Sequence, residues 1–328
     1  MKKIISLCLV CLFAFIMINN QFINEFITKI KGNTVDVAKR QDSLYLEIEQ
    51  KANEFAIPPS DAKIDRVWKA IPGYNGQTVD LEASYERMKK NGKFDEYKLV
   101  FKQKKPNIPF SNLPPSPMYK GNPEKPMVSF IINVAWGNEY LSGMLATLKE
   151  HHVKATFFLE GRWVQKYPEL AKMIFDAGHE VGNHSYTHPN MQNLTSSQIR
   201  QEIVKTNEVI EATTGKQGSW FAPPSGSFKN EVVQIAAEEK MRTVMWSIDT
   251  IDWQKPTPDV LINRVMSKIH NGAIILMHPT ESTEKSLEQL IVQIKEKNLQ
   301  IDTISELVKE DRIYTTQAKG MNKERLSP

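Results

Sequence analysis

Cysteine is almost missing from this chain of 328 residues, since Cys8 and Cys11 are the only two and both lie in the first apolar run. The remainder therefore offers no disulfide and no thiolate ligand for a metal. Aspartate is absent from Lys98 through Phe175, so a metal site that uses this stretch has no Asp ligand there. Basic clusters with interleaved aromatics are also missing and the net charge is only +4, so no nucleic-acid partner is expected.

The N-terminus has the pattern of an export signal. Lys2 and Lys3 precede an uncharged apolar run from Ile4 to about Ile18. Positive residues before such a run are typical of a secretory signal or a signal-anchor. We expect residues 1–20 to be a signal peptide or membrane anchor, and the protein to be exported and either anchored in the membrane or secreted to the cell surface. A buried N-terminal core helix is the alternative.

The rest of the chain divides by composition into four segments. Residues 21–104 predict a small α+β module with helices over Asp42–Phe55, Asp61–Ala70 and Tyr85–Lys90 and a strand over Tyr97–Lys102. Residues 105–126 carry seven prolines and predict a linker or extended tether. Residues 127–310 form the main domain, and residues 311–328 a charged tail.

The main domain alternates strand and helix patterns. Val128–Val134 is a nearly continuous apolar run, as in a strand that is buried on both faces. Further strands are predicted at Ala155–Leu159, His179–Asn183, Trp220–Ala222, Arg242–Ile248, Ala273–Met277 and Gln300–Thr303. Short connections between alternating elements imply parallel strands with crossover helices. About seven such units predict an α/β fold, as a closed or nearly closed (β/α) barrel.

The segment GHEVGNHSYTHP at residues 178–189 places His184 and His188 four residues apart. On one helical turn, both imidazoles would reach the same divalent metal. The alternative is a hydrogen-bonded histidine pair that caps a loop.

Four motifs together resemble the polysaccharide deacetylase (NodB-homology) domain of carbohydrate esterase family 4. They are VKATFFLEG at 153–161, GHEVGNHSYTHP at 178–189, WSIDTIDW at 246–253 and ILMH at 275–278, within a region from Met127 to about Leu307. The resemblance implies a deformed (β/α) barrel. The proline-rich tether and VAWGNEY at 134–140 resemble an anchored, sporulation-associated subgroup.

The resemblance also implies roles for individual residues. His184 and His188 would bind Zn²⁺ or a similar divalent metal, which polarises an acetyl carbonyl and activates water. His278 would be the general acid, with Asp252 as its orienting partner. Trp253 and Leu276 would line the acetyl pocket, unless they are simple packing residues. The backbone N–H of Ser225 would serve an oxyanion.

The family's first and third motifs are degenerate in this chain. Aligning the apolar strand with the usual Thr-Phe-Asp-Asp-Gly puts Asn133 at the base position and Val134 at the metal-ligand position. In the third motif, usually Arg-x-Pro-Tyr, Ala222 replaces the Arg that pairs with the base and Ser225 replaces the Tyr. Glu139 is the nearest possible substitute carboxylate, unless it is a solvated loop residue.

These departures leave three hypotheses. The first is an exported polysaccharide deacetylase-type hydrolase that acts on peptidoglycan or another N-acetylated cell-wall glycan, with weak or altered activity and weak or absent metal. The second is a catalytically inactive protein that binds glycan or a protein partner through the same groove. The third is a structural, membrane-anchored protein whose N-terminal module carries the function.

Overall fold

The computed structural model describes residues 42–313, which form two compact units. The first comprises residues 42–56 and 78–102, and the second residues 57–77 and 103–313. The predicted signal or anchor at 1–20 and most of the charged tail lie outside the described residues. Among residues 42–313, no helix is both long and apolar enough to span a bilayer.

Twelve strands and ten α-helices make up the described chain. The strands are β1 (Lys63–Asp65), β2 (Lys69–Ile71), β3 (Gly76–Val79), β4 (Phe101–Lys104), β5 (Met127–Val134), β6 (Thr156–Leu159), β7 (Glu180–Asn183), β8 (Trp220–Phe221), β9 (Arg242–Thr243), β10 (Ile248–Asp249), β11 (Ile274–Met277) and β12 (Gln300–Ile301). The helices are α1 (Ser43–Ala52), α2 (Leu81–Met88), α3 (Asn138–Glu150), α4 (Gly161–Lys166), α5 (Pro168–Asp176), α6 (Ser196–Thr214), α7 (Asn230–Glu238), α8 (Pro258–Met266), α9 (Glu281–Glu296) and α10 (Ile304–Val308). Short 3₁₀ helices cover Asn53–Phe55, Glu96–Lys98, Phe110–Asn112, Met191–Asn193, Pro224–Gly226 and Asp252–Gln254.

The first unit is a small cluster around α1 and α2. The side chain of Asp42 caps α1 by accepting a hydrogen bond from Leu44 N at 2.8 Å, and Asp80 caps α2 through Ala83 N at 3.1 Å. The apolar sides of both helices share one core, whose buried members are Leu44, Ile48, Val79, Met88, Leu99 and Phe101.

The second unit is built on a parallel sheet in the order β10-β11-β5-β6-β7-β8-β9, with β12 also paired to β5. Crossover helices connect the strands, as parallel pairing requires. The described strands show no pairing between β9 and β10, so the barrel is open there. The α/β fold predicted from the sequence, a deformed (β/α) barrel with a small N-terminal α+β part, is confirmed.

The side chains of β5 alternate between two cores. Ile131 belongs to the inner cluster, with Phe158 and Leu276 of neighbouring strands. Ile132 and Val134 belong to the outer cluster between the sheet and the helices. Successive residues of a strand face opposite sides of the sheet, so this alternation fixes which residues near the end of β5 reach the barrel interior.

The proline-rich segment is part of the second unit. Phe110, Leu113 and Met118 are buried in the inner cluster. The backbone of Met118 bonds to Thr243 and Met245, with Met118 N to Thr243 O at 3.0 Å and Met245 N to Met118 O at 2.7 Å. The prolines keep the backbone extended, but the apolar residues between them pack into the inner cluster. The segment is therefore packed against the barrel, unlike a free linker.

Two local predictions are wrong. The helix predicted over Asp61–Ala70 is instead the antiparallel pair β1–β2. Asp65 accepts hydrogen bonds from Val67 N and Trp68 N, both at 2.8 Å, which closes a turn in place of a helix. The strand predicted over Arg242–Ile248 divides into β9 and β10, because Met118 takes the backbone bonds at the break.

The packing of the proline-rich segment can be tested by truncating Met118. Its side chain is 0% exposed, so Met118→Ala should lower the free energy of unfolding by about 2–5 kcal/mol in urea denaturation. Ile108→Ala, at a residue of the same segment that is 45% exposed, is the control and should cost less than about 0.5 kcal/mol. A similar small loss for both variants would contradict this packing.

Candidate functional site

A cavity of about 460 Å³ opens where the carboxyl ends of the barrel strands meet. Barrel enzymes place their chemistry at this end of the sheet. Its lining residues are Asn133, Ala135, Trp136, His184, His188, Ser225, Trp246, Asp249, Trp253, Leu276 and His278. The structure thus brings together seven residues that the sequence singled out from distant motifs: Asn133, the three histidines, Trp253, Leu276 and Ser225.

His184 follows β7 and is almost fully buried. Its Nδ1 lies 2.8 Å from the carbonyl oxygen of Ala222. Since a carbonyl only accepts, Nδ1 carries the proton and the lone pair lies on Nε2. Burial, with a smaller effect of His188, lowers the pKa of His184 to about 3, so the ring is neutral at pH 7.

His188 reaches the same place through a loop. The rings of His184 and His188 have their centroids 5.0 Å apart. The predicted helical turn is wrong, because Ser185 and His188 adopt positive φ angles of 63° and 55° and reverse the chain after β7. Burial lowers the pKa of His188 as well.

Glu202 of α6 holds this loop. Its carboxylate accepts hydrogen bonds from Tyr186 N at 2.8 Å, Thr187 N at 2.7 Å and Thr187 Oγ1 at 2.8 Å. Charge-assisted bonds to two successive amides fix the backbone just before His188.

His278 lies directly after β11 and is paired with Asp252. Asp252 Oδ1 lies 2.8 Å from His278 Nδ1, and Oδ2 accepts from His278 N and Thr283 Oγ1, both at 2.6 Å. Asp252 is fully buried, so this network satisfies a carboxylate removed from water. The ring is fixed with Nε2 as its free nitrogen, which is the arrangement that a histidine acid requires.

Two residues predicted for the site lie elsewhere. Val134 packs in the outer core, on the opposite face of β5 from the cavity. Glu139 lies in the first turn of α3 and lines two neighbouring grooves instead of the histidine cavity. It is therefore not brought to the histidines as a substitute carboxylate. Ala222 is buried and contributes its carbonyl oxygen to His184.

The donor set does not fit a catalytic zinc ion. Catalytic zinc sites normally take three protein ligands. His184 and His188 supply two, and within residues 42–313 no group of three His, Cys, Asp or Glu side chains is close enough to hold a metal.

Asn133, predicted at the base position, does lie in the cavity. It is 4% exposed, and its Oδ1 has no hydrogen-bond partner among the described residues. An amide at this place cannot accept a proton at neutral pH, but it offers an acceptor to a bound donor.

Sequence reasoning missed several lining residues, chiefly Trp136 and Asp249. Trp136 stacks on His278, with ring centroids 5.9 Å apart and planes at 9°. Asp249 ends β10, and its Oδ1 accepts from Ile251 N at 2.8 Å. The position of Asp249 at a strand end within WSIDTIDW was an available signal, whereas the stacking of Trp136 depends on a loop that no periodicity predicts.

Comparison with known proteins agrees with this architecture. The family model described as polysaccharide deacetylase matches residues 120–244. The crystal structure of a carbohydrate esterase family 4 pseudoenzyme from Bacillus anthracis has a TM-score of 0.78 at 56% identity, covering 84% of this chain and 98% of that one. The chain belongs to carbohydrate esterase family 4, the polysaccharide deacetylase family.

Further similar proteins include both a pseudoenzyme variant and proteins named as active enzymes. A mutant of the Bacillus anthracis pseudoenzyme with restored enzymatic activity matches with a TM-score of 0.78 at 55% identity, over 83% of this chain and 100% of the other. The family 4 esterase PdaA of Bacillus subtilis matches with a TM-score of 0.55 at 30% identity, over 58% and 83%. A peptidoglycan-N-acetylglucosamine deacetylase of Bacillus cereus is 34% identical over 171 residues, 51% of this chain and 62% of that protein.

The neutral state of His184 predicts a pH dependence of stability. Its pKa is about 3 when folded, below the ordinary value of 6.5. Between these values the unfolded chain binds a proton that the folded chain does not, so stability present above pH 6.5 is lost as the pH falls towards 3. His184→Asn can still donate to Ala222 O but does not titrate. Urea denaturation at pH 7 and pH 4.5 should show a larger loss for the wild type, and equal losses would contradict a buried neutral imidazole.

Proposed function

We propose that this protein is a pseudoenzyme of its family that is exported to the cell surface and binds N-acetylated cell-wall glycan without hydrolysing it. The observation that carries this proposal is the cavity itself, which retains the histidines while the described residues bring no carboxylate close enough to complete a metal site with them. The apolar run before residue 20 supports export, and the peptidoglycan named for relatives supports the choice of glycan.

Gly137 supports a shifted assignment of the degenerate motif. It has φ 81°, and a Cβ there would lie 2.0 Å from Pro279 O, so only glycine fits. If Gly137 is the glycine that ends the family's Thr-Phe-Asp-Asp-Gly, the two aspartates correspond to Ala135 and Trp136. Both line the cavity, which Val134 does not.

On this assignment both acidic functions are lost. Ala135 at the base position accepts no proton, and removing a general base alone costs about 10²–10⁴ in rate. Trp136 at the ligand position has no atom that binds a metal. Ala222 in place of the family's Arg is consistent with this, because a buried Arg without its carboxylate costs several kcal/mol.

Residual hydrolysis is the second candidate. The intact pairing of Asp252 with His278 favours it, because this network fixes the imidazole as a donor for a leaving amine. A weakly active enzyme and a binding protein are separated by measuring acetate.

The two assignments of the missing aspartates predict different rescue variants. The wild type should release no acetate above background from N-acetylglucosamine oligomers and should not bind zinc tightly in calorimetry. Ala135→Asp with Trp136→Asp should gain micromolar zinc binding and measurable acetate release, because carboxylates then lie in the cavity with the histidines.

Val134→Asp, at the metal-ligand position of the unshifted assignment, is the control. It should gain neither property and should lower stability by several kcal/mol, because residue 134 would bury a carboxylate in the outer core. Adding His184→Ala and His188→Ala to the rescued variant should abolish its zinc binding. Acetate release by the wild type that disappears in His278→Ala would contradict the pseudoenzyme proposal and support residual hydrolysis.

A further inference from the structure

Three cavities meet at Trp136. Besides the histidine cavity, one of about 550 Å³ is lined by Trp136, Tyr140 and Trp253, and another of about 440 Å³ by Trp136, Arg162 and Tyr167. Trp136 lines all three, and Trp253 lines the first two. Each has the size of a small-molecule site, for which about 300–1,000 Å³ is typical. We refer to these three cavities, which share Trp136 as a lining residue, as the trough.

Two large aromatic side chains stand in this trough with much of their surface in solvent. Trp136 is 48% exposed and Trp253 56%. Their exposure is unusual, because large aromatic side chains contribute most when they are covered. The stacking of Trp136 on His278 fixes the orientation of its indole, so less side-chain freedom is lost when a ligand packs against it.

The floor of the trough carries a polar group without a partner. Asn133 lines the histidine cavity, and its Oδ1 is buried and accepts no hydrogen bond from the described residues. A buried acceptor in this state is unfavourable, and a ligand that donates an N–H or O–H at this point would satisfy it. This acceptor is a different feature from the exposed tryptophans, so it indicates a bound ligand independently of them.

The ligand that matches these features has apolar faces and an amide donor in one unit. A pyranose presents C–H groups on its ring faces, which pack on indoles, and an acetamido substituent presents one N–H. A chain of N-acetylated hexosamines repeats the apolar ring face and the acetamido N–H in every unit, so successive units could occupy the neighbouring cavities of the trough.

We propose that Trp136, at the position vacated by a metal ligand, is a stacking platform for a pyranose, and that Asn133 accepts the acetamido N–H of the bound sugar. The inference rests on the proposed function and names the residues that would replace metal-dependent recognition. On this proposal, the substitution that removed a metal-binding carboxylate also created a surface for binding sugar.

The test is calorimetric titration of the full-length chain with the β-1,4-linked pentamer of N-acetylglucosamine in the presence of EDTA. Trp136→Ala should weaken binding about tenfold or more, because one aromatic platform is removed. Trp136→Phe keeps an aromatic face and should bind within about threefold of the wild type. Trp68→Ala, at a tryptophan that lines none of the three cavities, should leave the affinity unchanged.

The role of Asn133 is tested with a second ligand. The β-1,4-linked glucose pentamer has the same linkage but a hydroxyl in place of each acetamido group. The wild type should prefer the acetylated pentamer about tenfold, and Asn133→Ala should reduce this preference to near unity. An unchanged preference would overturn the role of Asn133.

Failure of the inference and failure of the proposed function give different results. Wild-type binding that Trp136→Ala leaves intact, with the variant folded by circular dichroism, overturns the platform but leaves glycan binding standing. No binding of either pentamer by the wild type overturns glycan binding and the platform together.

Discussion

The alternation of side chains along β5 is the constraint on which the site depends. It sends Ile131 and Asn133 into the barrel and Ile132 and Val134 into the outer core. Any residue of this segment that acts at the mouth must therefore be Asn133 or follow the end of β5. Ala135, Trp136 and Gly137 come next and carry no acid, and Glu139 lies beyond them in the first turn of α3, outside the histidine cavity. The chemistry of the cavity is fixed by these few positions, while the rest of the barrel retains the geometry of the family.

The site keeps the hydrogen-bond network around His278, whereas the described residues give the histidine pair no acidic partner that would complete a metal site. Asp252, His278 and Thr283 keep a complete network of short hydrogen bonds. Burial lowers the pKa values of His184 and His188, which favours their neutral forms. The cavity presents imidazoles, the Asp249 side chain, an amide oxygen without a partner among the described residues and exposed indoles. Because the described residues supply no third ligand beside the two histidines, it is suited to an amphipathic ligand more than to a metal cation.

Much of this structure could be predicted from the sequence, and the failures have physical causes. The apolar run of β5 and the alternation of elements predicted the barrel, and the resemblance of the motifs to the deacetylase family predicted that His184, His278 and Asp252 share one site. Local patterns could not show that Asp65 would close a turn, since that competes with helix formation through side-chain bonds. They also could not predict which face of the sheet Val134 occupies, because a strand that is buried on both faces shows no alternation of polar and apolar residues. Trp136 was missed because its partner, His278, is distant in sequence.

The most direct test of the account is the affinity of the wild-type chain for the N-acetylglucosamine pentamer, measured once with EDTA and once with saturating zinc. A site that recognises glycan through indoles and an amide predicts the same dissociation constant in both conditions and no acetate in either. Binding that requires zinc and is lost in EDTA, or acetate that appears only with zinc, would contradict the account and show that two histidines suffice to hold a working metal.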